Sequence, residues 1–97
     1  MLHLIFQSAF DSALLQRIDN GDDVVFFENA IFRLNKVDAL NGQLQALINN
    51  RVYLHVIEAD LATRGLTAIE LLAGVELIDY PALVALTEKN KVIRTWC

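Results

Sequence analysis

VELIDYPALVALTEK, Val75 to Lys89, is the stretch whose reading decides the fold class. Val75 to Ile78 is a short run of strand length, apolar except for Glu76. Asp79 follows at once, and its carboxylate is placed to cap a helix. Pro81 then falls in the first turn, where a missing N–H costs nothing. That helix is expected to run to about Glu88. A strand that passes directly into a capped helix is half of a β-α-β unit, and repeated units of this kind imply a parallel sheet.

The same alternation extends in both directions. Upstream, Leu2 to Phe6 reads as a first buried strand. Ser8 or Asp11 could cap a helix running to about Ile18, stopped by Asn20 and Gly21. Asp23 to Glu28 is a second strand, and Asn29 to Leu34 a short turn or helix. A further helix is expected from about Val37 to Ile48, with Gly42 a weak point inside it. Arg51 to Ile57 is a third strand. Asp60 to Arg64 reads as one helical turn, and Thr67 with Glu70 as a capping box for a short helix that Gly74 ends. Downstream, Lys91 to Trp96 is a fifth, short strand. The expected fold is α/β: a three-layer α/β/α sandwich of one domain, residues 1–97, around a five-stranded, mostly parallel sheet. Its crossovers are expected to be mainly right-handed. Strand order cannot be read from the pattern.

Composition bounds the function. The chain has 97 residues, 55% of them hydrophobic with glycine left out, against about 45–50% with glycine counted in typical domains. The surplus implies either a sheet buried on both faces or an apolar face covered by another subunit. The net charge of −4 argues against direct tRNA or DNA binding, which needs clustered Lys and Arg. The only local basic excess is Lys89, Lys91 and Arg94. No apolar run approaches the roughly 20 residues that span a bilayer, and the first ten residues lack the cationic start of a signal peptide. One cysteine, Cys97, allows no internal disulfide and fits a reducing cytoplasm.

No strong catalytic motif is present. There is no glycine-rich phosphate loop, and His3 and His55 do not stand in zinc-ligand spacing; no cofactor is implied. One constellation follows from the fold, because ligands of open parallel sheets gather at the carboxyl ends of the strands. Ser8, Glu28, Asn29, Glu58, Asp60, Asp79 and Tyr80 fall there. Either they converge on a partner or ligand site, or each caps the helix that follows it. A self-assembling binding module built on that acidic edge is one reading. His55 and His3 read as satisfied core or interface histidines. Trp96 reads as a core plug or an interface anchor. Cys97 is the one candidate thiol for persulfide chemistry, and equally an incidental exposed cysteine.

Taken together, the segments resemble the DsrH/TusB family of sulfur-relay subunits. The resemblance runs through Leu2-His3 with Ser8 and Phe10, and through Gly21-Asp22 leading to Phe27-Glu28-Asn29 with Ile31. It continues in Val52-Tyr53, Asp60-Leu61 and Arg64-Gly65. Ile78-Asp79-Tyr80 with Val84, Leu86 and Thr87, and finally Trp96, complete it. The resemblance implies a five-stranded DsrEFH-like fold. It implies pairing with TusC/DsrF-like and TusD/DsrE-like subunits in a heterohexamer, with the transferring cysteine in the TusD/DsrE-type subunit. In the TusBCD-like branch such a complex passes persulfide sulfur from a TusA-like donor towards a TusE-like acceptor, for 2-thiouridine at the tRNA wobble position. In the DsrEFH-like branch it serves oxidative sulfur metabolism. Some DsrH-type members carry a cysteine in the first helix; the matching position here is Leu14, which favours the thiolation branch. Arg94 stands where the family often has glutamine, and a terminal Cys97 is not a family feature, which leaves open a small thiol carrier using Cys97. On this reading the chain is an accessory subunit, not an enzyme by itself.

Overall fold

The computed structural model describes residues 1–96, so Cys97 lies outside the described residues. Five strands form one sheet: β1 (Leu2–Ile5), β2 (Asp23–Phe26), β3 (Tyr53–Ile57), β4 (Glu76–Ile78) and β5 (Ile93–Trp96). The order across it is β4-β3-β2-β1-β5. Every pairing is parallel, with Leu2 beside Asp23 and Ile93, and Asp23 beside Tyr53. β1 is therefore an interior strand, flanked by β2 and the last strand β5, although it comes first in the chain.

Strand order dictates where the helices lie. The chain steps β1 to β2 to β3 to β4 in one direction, so right-handed crossovers put all the intervening elements on one face. They include α1 (Ser12–Leu15), a 3₁₀ segment over Glu28–Leu34, α2 (Asn41–Asn49) and α3 (Glu58–Thr63). Their buried residues Leu14, Ala30, Ile31, Leu34, Leu44 and Leu61 pack with Ile5, Val24, Phe26, Leu54 and Val56 of the sheet. The chain then crosses back from β4 to β5 through α4 (Tyr80–Lys89). The reversed direction places α4 on the opposite face, where Ala82, Leu83 and Leu86 cover Leu2, Val25, Ile57 and Ile78. The three layers are thus unequal: several helical elements on one side and one helix on the other.

Local chemistry explains the departures from expectation. Asp79 caps α4 as anticipated, accepting from the Ala82 N–H at 2.9 Å. Asp11, and not Ser8, caps α1, accepting from the Ala13 and Leu14 amides. That helix ends at Leu15 and not Ile18, because the Arg17 and Ile18 amides turn back to the third carbonyl behind them. α2 begins at Asn41 and not Val37. Asn35 and Asp38 use their side chains to accept from the Val37 and Leu40 amides, which holds the segment in turns. Gly42 consequently sits in the first turn and breaks nothing. The capping box does not form. The Thr67 hydroxyl donates to the Glu70 carboxylate at 3.3 Å, and only a single 3₁₀ turn, Ala68–Glu70, results.

Candidate functional site

The carboxyl edge of the sheet brings some of the expected residues together and leaves others apart. Glu28 stands directly after β2 with φ 51°, a left-handed conformation that is costly for a residue with a side chain. Its N–H donates to Asp60 Oδ2 at 2.8 Å. Asp60 also faces Arg64 at 3.7 Å. These two acids of the expected edge are thus tied to each other through backbone. Asp79 is occupied as a helix cap. The Ser8 carbonyl accepts from Arg33 Nη1 at 2.7 Å, while the Ser8 side chain is exposed. Asn29, Glu58 and Tyr80 are exposed as well. Phe6 and Phe27 stack at the same edge, with ring centroids 4.5 Å apart. The described concavity lies elsewhere. It is a shallow depression of about 250 Å³ between α1 and α2, lined by Leu15, Gln16, Ile18, Gln43, Ala46 and Leu47.

The densest polar chemistry is at the opposite, amino edge, and it grows from the doublet Asp22-Asp23. Adjacent residues of a strand point to opposite faces, so each carboxylate serves one side of the sheet. On the helix-rich face, Asp22 Oδ2 lies 2.9 Å from His3 Nε2 and accepts from the Asp19 amide. Its Oδ1 accepts from the N-terminal ammonium at 3.1 Å. The Trp96 indole N–H then donates to His3 Nδ1 at 3.3 Å. An indole nitrogen can only donate, so Nδ1 of His3 accepts and its Nε2–H donates to Asp22 Oδ2. Burial pushes the Asp22 carboxyl up, but the Asp19 amide, His3 and the ammonium outweigh this and hold it below its ordinary value.

On the α4 face, Asp23 is 2% exposed. Its Oδ1 lies 3.1 Å from His55 Nε2. Its Oδ2 accepts from Lys89 Nζ at 3.1 Å and Asn90 Nδ2 at 3.2 Å. Burial again raises this carboxyl, and His55, Asn90 and Lys89 together bring it below its ordinary value. Among the described residues the Nδ1 of His55 has no hydrogen-bond partner; Glu76 Oε2 stands 3.5 Å away. Both histidines are core residues, as their setting in apolar strands suggests. Their carboxylate partners are missed by sequence reasoning, because they lie 19 and 32 positions away. The available signal is the acidic doublet at the mouth of an otherwise apolar strand. Trp96 is half-buried, packed against the larger core and flanked by Arg17 and Arg94.

These features can be set against known proteins. Residues 6–93 match the family described as DsrH like protein. Protein TusB of Erwinia tasmaniensis is 30% identical over 101 residues, spanning 99% of this chain and all of the relative. Protein TusB of Escherichia coli K12 is 30% identical over 99 residues, with the same coverage. Among solved structures, a protein of unknown function from Methanobacterium thermoautotrophicum superposes with a TM-score of 0.81 at 14% identity, over 98% of this chain and 96% of that one. The ychN protein of E. coli gives 0.79 at 15% identity, over 98% and 97%. At such identities the likeness concerns the fold.

Proposed function

The chain belongs to the DsrH-like protein family, and from that premise we propose that it is a non-catalytic subunit of a TusBCD-like sulfur-relay complex. In this reading the complex passes persulfide sulfur, from a TusA-like donor to a TusE-like acceptor, for 2-thiouridine formation at the tRNA wobble position. The observation that carries the reading is the unequal layering of the sheet. One helix of ten residues covers a face built from five strands. No residue of α4 is fully buried, and Tyr80 and Val84 on it are 60% and 54% exposed. Beside it, Leu4 and Phe27 are only half-buried and Ile93 is exposed. A face of this kind suits burial against TusC- and TusD-like subunits of a heterohexamer, more than it suits an isolated domain.

Thiol placement supports the accessory role. Residues 1–96 contain no cysteine, so a relay thiol in a folded body belongs to a partner, in a reducing cytoplasmic setting. Leu14, at the position where some family members carry a cysteine, is buried in the main core. That favours the thiolation branch over oxidative sulfur metabolism.

Co-expression with TusC- and TusD-like partners tests the proposal. All three chains should elute as one complex, and a Cys97→Ser variant should support thiolation as well as the wild type. A chain that elutes alone while the other two pair would sink the proposal. Loss of thiolation on Cys97→Ser would move the thiol role to this chain.

A further inference from the structure

β5 is one outer edge of the sheet, and its described partner is β1 alone. The Leu2 amide donates to the Val92 carbonyl and the Phe6 amide to the Trp96 carbonyl, each at 3.0 Å. Backbone polar groups along a strand alternate in the side they face. Val92, Arg94 and Trp96 thus turn theirs towards β1, and Ile93 and Thr95 turn theirs outward. Ile93, Arg94 and Thr95 are exposed. Such an edge is a template for another strand unless something discourages pairing.

Charge decides which strand it would accept. Residues 91–96 contain Lys91 and Arg94 and no acid, in a chain of net charge −4. Arg17, from the end of the α1 segment, joins them. Its guanidinium carbon lies 5.7 Å from the centroid of the Trp96 ring, and that of Arg94 lies 5.5 Å from the same centroid. The described Arg and Lys ion pairs are Arg33–Asp38, Arg64–Asp60 and Lys89–Asp23; Arg17 and Arg94 are in none of them. The indole on which they converge is fixed by its bond to His3, which is 1% exposed. A cation in mid-edge turns away basic strands and selects an acidic one. The opposite edge strand, β4, has the reverse sign, with Glu76 in it and Asp79 after it.

We propose that the outer edge of β5 docks an extended acidic segment of another protein, which joins the sheet as an added strand and sets carboxylates against Arg94 and Arg17. The parity of β5 specifies the segment. Arg94 and Trp96 share the helix-rich face with His3 and Ile5, whereas Ile93 and Thr95 share the α4 face with Leu2 and Leu4. The segment therefore alternates carboxylates on the first face with β-branched apolar residues on the second. The β4 edge of a second copy is a poor match, because its Glu76 and Ile78 lie on the same face.

Trp96 is the only tryptophan, so its fluorescence reports on this site in the whole protein. The probe is the heptapeptide Glu-Val-Glu-Val-Glu-Val-Glu, with the Lys-for-Glu peptide as control. The acidic peptide should change the emission saturably, and the control should not. Arg17→Gln and Arg94→Gln should each weaken binding by about threefold to fivefold, the size of one partly exposed ion pair, and added salt should weaken it further. Thr95→Pro, which removes an outward N–H, should also weaken it; the exposed arginine variants keep the test valid if that one misfolds. Equal response to both peptides, no response to the acidic one, or unchanged binding in Arg94→Gln would overturn the proposal. Dimerisation of the chain alone that Arg94→Gln abolishes would also overturn it, in favour of a second copy.

Discussion

At the scale of the residue, the two carboxylates of the doublet make folding sensitive to acid. Asp22 and Asp23 both hold their protons less readily in the fold than the ordinary value of 3.8. Their stabilisation is present above that value and is lost as pH falls through the lower, folded one. Urea unfolding at pH 7 and pH 3 should show this. Asp23→Asn should be less stable than wild type at pH 7 by about 1–3 kcal/mol, because Asp23 holds His55, Lys89 and Asn90. It should also lose less on acidification; an equal loss in both proteins would show that Asp23 carries no such linkage. Trp96→Phe keeps most of the ring but removes the donor to His3 Nδ1. It should cost about 1–3 kcal/mol, and the His3 ring nitrogens should shift in NMR spectra while those of His55 stay in place. None of these pairings could be read from the sequence, since each histidine looks like one more core position and its carboxylate is remote.

At the scale of the element, most of what is legible lies in caps and runs. Asp79 and Pro81 announce α4, and Asp11 is one of the two candidate caps, with Ser8, for α1; such caps are legible because a capping carboxylate accepts from its own next few amides. What stays hidden is competition for the same amides. Asn35 and Asp38 draw the chain into turns, so that α2 starts late although Val37 and Leu40 continue its apolar spacing. The end of α2 carries its own test. Arg51 follows it at φ 63°, a place that glycine usually takes. Arg51→Gly should raise stability by up to about 1 kcal/mol, read as an increase in melting temperature. Gly74→Ala should act in the opposite direction. Gly74 has φ 99°, and an added Cβ would stand 3.0 Å from Ile48 Cγ2. If both substitutions shifted the melting temperature the same way, backbone conformation would not be the controlling factor. The acidic edge shows a similar division. The sequence puts Glu28, Asp60 and Asp79 near the strand ends, but does not reveal that Asp60 accepts the Glu28 amide or that Asp79 is taken up by the Ala82 amide.

For the whole molecule, the α/β alternation was readable and the strand order was not, because buried parallel strands are near-uniform apolar runs that could pair in any sequence. The order nevertheless fixes the unequal layers, and these carry a prediction. Val84→Asp, on the exposed side of α4, should leave the unfolding free energy of the isolated chain within about 0.5 kcal/mol of wild type while removing the chain from the co-expressed complex. A variant that still co-elutes would place the partner elsewhere. The order has a further consequence in time. β1 is made first, yet one of its two neighbours is β5, the last strand of the chain. At about 5–20 residues per second, synthesis leaves the β1 edge bare for several seconds after β2 has been made. During that interval the nascent protein offers an open apolar strand to whatever lies nearby, so its yield in the cell should depend on chaperones that bind before the final residues emerge.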